Sequence, residues 1–256
     1  MKKKQTGSMI AAAVVAGAAL IGSQGLPGAG DLLTGSPTDR VPVAPASIDL
    51  VDRQAPITPG GNTTADSVTT AWAQLHVLDV KGRAPKTGYD RDRFGQRWSD
   101  DVDVEYGRNG CDTRNDILRR DLYDVTIKPN TNGCVALTGT LDDPFTGRTI
   151  DFRRGSETSG DVQIDHVVSL SDAWQKGAQQ LTEQQRMNFA NDPINLLAVE
   201  GRANQQKSDG DAATWQPPNK AFRCTLAMTQ INVKHTYGLW VTEAERDALA
   251  RQLETC

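Results

Sequence analysis

The sequence predicts an α+β domain, and three observations carry that prediction. Apolar residues recur at helical spacing over 65–78 and again in the C-terminal stretch 225–253. Between them, residues 125–152 break into short apolar runs (VTI, CVALTGTL, TIDF) split by PNTNG and DDPFTG, which reads as two or three antiparallel strands joined by hairpins. Four cysteines, an even count, point to a disulfide framework. The expected layout is a core of two strands and a helix at about 160–210, with an added small antiparallel sheet and flanking helices.

In chain order, Lys2, Lys3 and Lys4, an apolar run over 9–21, and the small residues Ser23 and Gly25 form the three-part pattern of a secretory signal peptide over residues 1–25. The apolar run is shorter than the roughly 20 residues a spanning helix needs. The protein is therefore expected to be secreted, or retained at the cell envelope if this segment is not cleaved, without a stable membrane partner. Residues 26–64 are rich in Pro, Gly, Ser and Thr and read as a disordered linker, leaving a single domain over 65–256.

The first helix places Val68, Ala71, Trp72, Leu75 and Leu78 on one stripe, with Thr64 or Asp66 to cap it. His76 lies off that stripe and reads as a surface residue. The segment that follows is dominated by Gly, Pro, Asp and Arg and reads as loop up to a helix starting near Thr113. Asp100, Asp101, Asp103 and Glu105 lack the Gly and terminal Glu of a calcium loop, so a solvated acidic loop is the better reading. In NGCDTRNDIL, Asp112 and Thr113 are N-cap types and Arg114 falls at a helix N-terminus, where donors converge on an anion.

Of three possible cysteine pairings, Cys111–Cys134 with Cys224–Cys256 is favoured, because each closes a local loop. Pro217–Pro218 forbids a helix at that point. A helix then runs from about 225 to Gly238 with His235 near its end, and Thr242 with Glu245 resembles a capping box for a last helix over 243–253.

The chemistry concentrates between 163 and 207. Histidine occurs only three times, and His166 sits beside Asp165 at the edge of an apolar run. Phosphodiester hydrolysis requires an activated water, neutralised phosphate charge and a stabilised leaving oxygen. His166 suits the first task, since an unperturbed imidazole titrates near neutrality. Asp165 and Asn204 carry the oxygen donors that hard cations prefer, and such a cation supplies the other two. Adjacent strand residues face opposite ways, so Asp165 and His166 share a site only where a strand ends or bends. NLLAV is the expected partner strand, Arg202–Lys207 starts the next helix, and Asn195 is suited to hold a loop and the His orientation through its amide. Trp174 and Trp215 read as packing residues.

Together these segments resemble the HNH endonuclease family, with its ββα-metal core. The nearer likeness is to the HNH-like C-terminal domain of GmrSD-type, modification-dependent restriction enzymes and to small secreted actinobacterial proteins built on it. The motifs that carry it are IDHVVSLSDAW, FANDPINLLAV, ANQQKSDGDAATW and QPPNK, with NGCDTRNDIL and TGTLDDPFTG upstream, so it spans roughly 88–256. The resemblance implies Asp165 and Asn204 as metal ligands, His166 as general base and Asn195 as the central Asn of the catalytic set. Ser169 stands where the family often has Pro. Asn rather than His at position 204 favours magnesium, then manganese, over zinc. Lys207 is a candidate phosphate contact, with a surface lysine as the alternative reading; Arg114, Arg202 and Arg223 are weaker candidates, and Asp192 is read as stabilising the NDP turn.

The expectation is a monomeric, metal-dependent endonuclease acting on nucleic acid, DNA first, with RNA as the alternative substrate. One property opposes it. The net charge is −4, and loss of the three lysines of the leader would take it to −7, whereas phosphate binding usually leaves a basic footprint. The competing reading is a non-catalytic secreted binding or surface protein that keeps the HNH scaffold.

Overall fold

The computed structural model describes residues 63–256 apart from residue 157. The expected signal peptide, and the expected linker up to residue 62, lie outside the described residues.

Helix α1 (Ala65–Val77) starts at a reciprocal cap: Thr64 Oγ1 accepts from Ser67 N–H at 3.1 Å, and Ser67 Oγ accepts from Thr64 N–H at 3.0 Å. Its stripe of Ala71 and Leu75, with Leu78 beyond, packs on Met228 and Ile231 of α6 (Arg223–Thr236) and on Leu249 and Leu253 of α7 (Glu243–Leu253). A disulfide between Cys224 and Cys256 ties the start of α6 to the last residue.

Helix α2 (Thr113–Asp121) is capped by the Asp112 carboxylate and leads into a three-stranded antiparallel sheet, β1 (Tyr123–Ile127), β2 (Ala136–Asp142) and β3 (Thr149–Arg153), in that order. Cys111 bridges to Cys134, so both favoured pairings are present and α2 is pinned to the β1–β2 connection. Ile117 and Leu118 of α2 pack on Leu141 and Phe152 and also on Ile164, Leu196 and Ala198. One helix therefore seats the three-stranded sheet against the core hairpin.

That hairpin pairs β4 (Val162–His166) with β5 (Leu196–Glu200) antiparallel, Asp165 opposite Leu197 and His166 opposite Leu196. Helix α5 (Gly201–Lys207) follows directly, capped by Glu200 onto Ala203 N–H at 2.6 Å. Gly201 is required there because a Cβ would stand 2.0 Å from the Gly160 carbonyl oxygen. The fold is thus the expected α+β arrangement, with a small extra sheet, flanking helices and two disulfides.

Two features differ from the reading of the sequence. The polar connector after β4 holds α3 (Leu170–Gln175) and also a further helix, α4 (Glu183–Asn191), with a Thr182–Gln185 capping box. Its few apolar residues made α4 inconspicuous, although the box itself was present in TEQQ. The second difference concerns Glu245. Thr242 does cap α7, at 3.2 Å from Glu245 N–H, but the Glu245 carboxylate turns inward, fully buried, onto Lys176 at 2.6 Å and Lys234 at 3.0 Å. Asp172, Asp211 and Arg83 complete this cluster, with Lys176 2.7 Å from Asp172 and 2.8 Å from Asp211, and Arg83 2.7 Å from Asp211. Buried charges require partners, and no single helix could supply them: α3, α6, α7 and two loops each contribute.

Candidate nuclease site

Strand β4 ends at His166, and this ending lets consecutive residues serve one cavity. Asp165 and His166 are both buried, and both line a cleft of about 530 Å³ together with Asn204, Gln163 and Arg114. The structure therefore brings Asp165, His166, Asn204 and Arg114 to one place.

The two oxygens of Asp165 have different environments. Oδ1 accepts from the Lys207 ammonium at 2.9 Å, whereas Oδ2 is buried without a hydrogen-bond partner among the described residues. Burial pushes this carboxyl above its ordinary range, and the adjacent Lys207 charge opposes the shift. Asn204 donates from Nδ2 to Gln163 Oε1 at 3.0 Å, and its Oδ1 has no hydrogen bond among the described residues.

The His166 ring lies 2.9 Å from the Ala190 carbonyl through Nε2. A carbonyl only accepts, so Nε2 carries the proton and Nδ1 presents its lone pair. Burial lowers the imidazole pKa to about 3, with the charges of Arg91, Lys207 and Arg97 adding to the effect and the Ala190 bond opposing it. The ring is neutral at physiological pH and, as folded, a weaker base than the near-neutral imidazole expected from the sequence. Trp98 stacks beside it, with ring planes 9° apart and centroids 5.8 Å apart.

Asn195 lies outside the cleft wall, fully buried behind it. Its Oδ1 accepts from Val168 N–H at 2.8 Å, and its Nδ2 donates to the carbonyls of Phe189 at 3.2 Å and Val168 at 3.4 Å. Its own carbonyl accepts from Val167 N–H at 2.8 Å. The side chain ties the loop after His166 to the end of α4, and Ala190, which orients the imidazole, is the next residue after Phe189. Ser169 caps α3 through Asp172 N–H at 3.2 Å and lines the cleft. Asp192 accepts from Ile194 N–H at 3.1 Å within its turn and from the Tyr237 hydroxyl at 2.6 Å.

Three expected phosphate contacts are placed elsewhere. Lys207 is not a surface lysine: it is 1% exposed, and its ammonium is committed to Asp165 and to the His166 carbonyl at 2.8 Å. The α5 periodicity turns it inward, because Lys207 and Ala203 lie on the same helix face, and Ala203 packs in the core beside Val199. Arg202 is exposed on a separate depression with Arg148 and Glu200. Arg223 donates from Nε to the Pro217 carbonyl at 2.9 Å. Arg114 alone of the expected set lines the cleft; burial and then the neighbouring Arg154 charge lower its pKa. Trp174 packs against Phe94 and Tyr89, and Trp215 against Phe145.

The sequence reading passed over Arg91, Arg97 and Trp98, which line the same cleft. The signal was the interleaving of arginines with aromatics in RDRFGQRW. Among the described residues, Arg91, Arg97 and Arg114 make no ion pair, while the two carboxylates of the cleft, Asp165 and Asp209, are matched by Lys207 and Lys86. A locally positive cleft thus sits in an acidic chain.

Among the described residues, no group of three or more His, Cys, Asp and Glu side chains could hold a metal ion, and no helix is long and apolar enough to cross a membrane. No solved structure matches the chain. It is 38% identical over 192 residues to an uncharacterized secreted protein of Arthroderma benhamiae, covering 74% of this chain and 86% of that protein. The family described as GmrSD restriction endonucleases, C-terminal domain, matches residues 112–252, which include β4, β5 and α5. The chain belongs to that family of HNH-like domains.

Proposed function

We propose that this protein is an exported, metal-dependent endonuclease that hydrolyses phosphodiester bonds of nucleic acid, DNA in preference to RNA. One observation carries the reading: Asp165, whose buried Oδ2 has no hydrogen bond among the described residues, lines the same cleft as His166, whose Nε2 is the nitrogen committed to Ala190. Structural buried polar atoms are normally paired, so an orphan beside a candidate base marks a place for a ligand.

Asp165 and Asn204 would hold the cation. One carboxylate and one amide leave most of its coordination to water and phosphate oxygens, which suits magnesium, then manganese, better than zinc. Bound there, the ion would supply charge neutralisation at the phosphate and the leaving oxygen. His166 takes the proton of the attacking water on Nδ1 while Nε2–H stays on the Ala190 carbonyl. Asn195 is a positioning residue, acting through the loop that carries His166. Lys207 holds Asp165 in place, and Arg114 meets the phosphate. The secreted relative and the leader pattern at 1–25 support export.

The test is direct. Mature protein is incubated with plasmid and with single-stranded DNA and magnesium, with EDTA and with His166→Ala as controls. In parallel, magnesium is expected to raise the Tm of the wild type and not that of Asp165→Asn. Cleavage that survives both EDTA and His166→Ala sinks this mechanism. The Asp165–Lys207 pair, which already neutralises the carboxylate, favours a second reading, a binding module on the same scaffold; absence of cleavage with every divalent metal would support it.

A further inference from the structure

The family's domain covers 112–252, yet one wall of the cleft comes from upstream of it: Tyr89, Arg91, Arg97 and Trp98 line the cavity from residues 89–98. This arm is held at three points. Phe94, between the two arginines, is buried against Trp174 and Phe189. Arg186 of α4 donates from Nε to the Arg93 carbonyl at 2.8 Å. At the far end, Thr113 donates from N–H to the Trp98 carbonyl at 3.4 Å and from Oγ1 to the Ser99 carbonyl at 2.8 Å. The last anchor is the first turn of α2, which also carries Arg114.

Arg91 and Arg97 border both the main cleft and a smaller chamber of about 170 Å³, and His166 and Trp98 line both cavities as well. Neither makes an ion pair among the described residues, although Asp90 and Asp92 share the arm; the Asp90 carboxylate caps its own turn on Asp92 N–H at 2.9 Å. The two guanidinium side chains line the same two cavities, and burial and then the like charge of Arg97 lower the Arg91 pKa. Such an arrangement suits an anion, and the planar fork of arginine matches phosphate oxygens. A cleft of about 530 Å³ is in the range of whole-ligand pockets, well beyond one phosphate group.

We propose that Arg91 and Arg97 form a second phosphate subsite, binding a phosphodiester of the substrate strand next to the one presented to His166. The arm upstream of the family domain thereby selects a polynucleotide over an isolated phosphate diester. This proposal rests on the nucleic-acid reading of the site.

The experiment compares wild type, Arg91→Gln/Arg97→Gln and Arg91→Lys/Arg97→Lys, each shown by circular dichroism to be folded. In a His166→Ala background, binding of a fluorescent single-stranded oligonucleotide is titrated against salt. The Gln pair is expected to weaken binding and reduce the log–log salt slope by about 0.7, the value for one phosphate of a single strand no longer neutralised; the Lys pair is expected to recover most of that slope. With His166 present, the Gln pair is expected to lower kcat/KM on the oligonucleotide at least tenfold more than on bis(p-nitrophenyl) phosphate. An unchanged salt slope, or equal losses on both substrates, overturns the subsite. If the wild type cleaves neither substrate while the slope still falls, the catalytic reading fails and the subsite stands.

Discussion

The Lys207 ammonium and the Asp165 carboxylate, 2.9 Å apart and both buried, share the end of β4 with the His166 carbonyl. One lysine thus grips two consecutive backbone positions of the proposed site. Its charge balances Asp165 Oδ1, and Oδ2 has no hydrogen bond among the described residues.

Removing that grip should cost the fold as well as the site. Lys207→Met is expected to destabilise the domain by about 3–5 kcal/mol, the cost of leaving a buried charge uncompensated. Asp165→Asn/Lys207→Met should recover part of the loss, since the pair couples. Urea unfolding of Lys207→Met, Asp165→Asn and the double variant measures this. Additive losses would mean that the pair does not interact.

Asn195→Ala leaves Val168 N–H and the carbonyls of Phe189 and Val168 without their side-chain partner. The expected stability cost is about 1–3 kcal/mol for each buried group left unsatisfied. On the catalytic reading, kcat falls while KM stays near the wild-type value, because Asn195 touches the His166 loop and not the cleft. A rise in KM with kcat retained would contradict the positioning role.

Acid stability is tied to Asp211. Burial alone would raise its pKa, but the hydrogen bond and charge of Lys176, the Thr214 hydroxyl and Arg83 hold it down at about 2. A carboxylate depressed in the folded state contributes stability that is complete above its unfolded value and is lost as pH falls through the folded one. The cluster should therefore weaken between about pH 4 and pH 2. Asp211→Asn is expected to lower stability at pH 7 and to flatten the pH dependence across that window, read as Tm against pH. A wild-type profile that is equally flat would remove Asp211 from the account.

Local pattern was enough for the elements whose signals are local. The caps at Asp112 and Thr242, the apolar stripe of α1 and the turns PNTNG and DDPFTG specify backbone geometry within a few residues, and the structure carries them. The IDHVV and NLLAV segments similarly marked the core hairpin, since each reads as a short apolar run of strand length and both strands are largely buried. Helix α4 was less visible because its buried residues include Arg186 and Asn191, which no hydrophobic pattern registers.

The sequence by itself determined the α+β class, the disulfide-compatible spacing of its cysteines and the residue types gathered around Asp165 and His166. Only the tertiary structure decided the direction in which charged side chains point. Lys207 and Glu245 are hydrophilic in any one-dimensional reading, yet both are buried because partners more than forty residues away neutralise them. Arg91 and Arg97 looked like ordinary loop residues and stand in the cleft because Phe94 between them is anchored in the core. Burial of a charge depends on long-range pairing, and long-range pairing is a property of the fold, not of the local sequence.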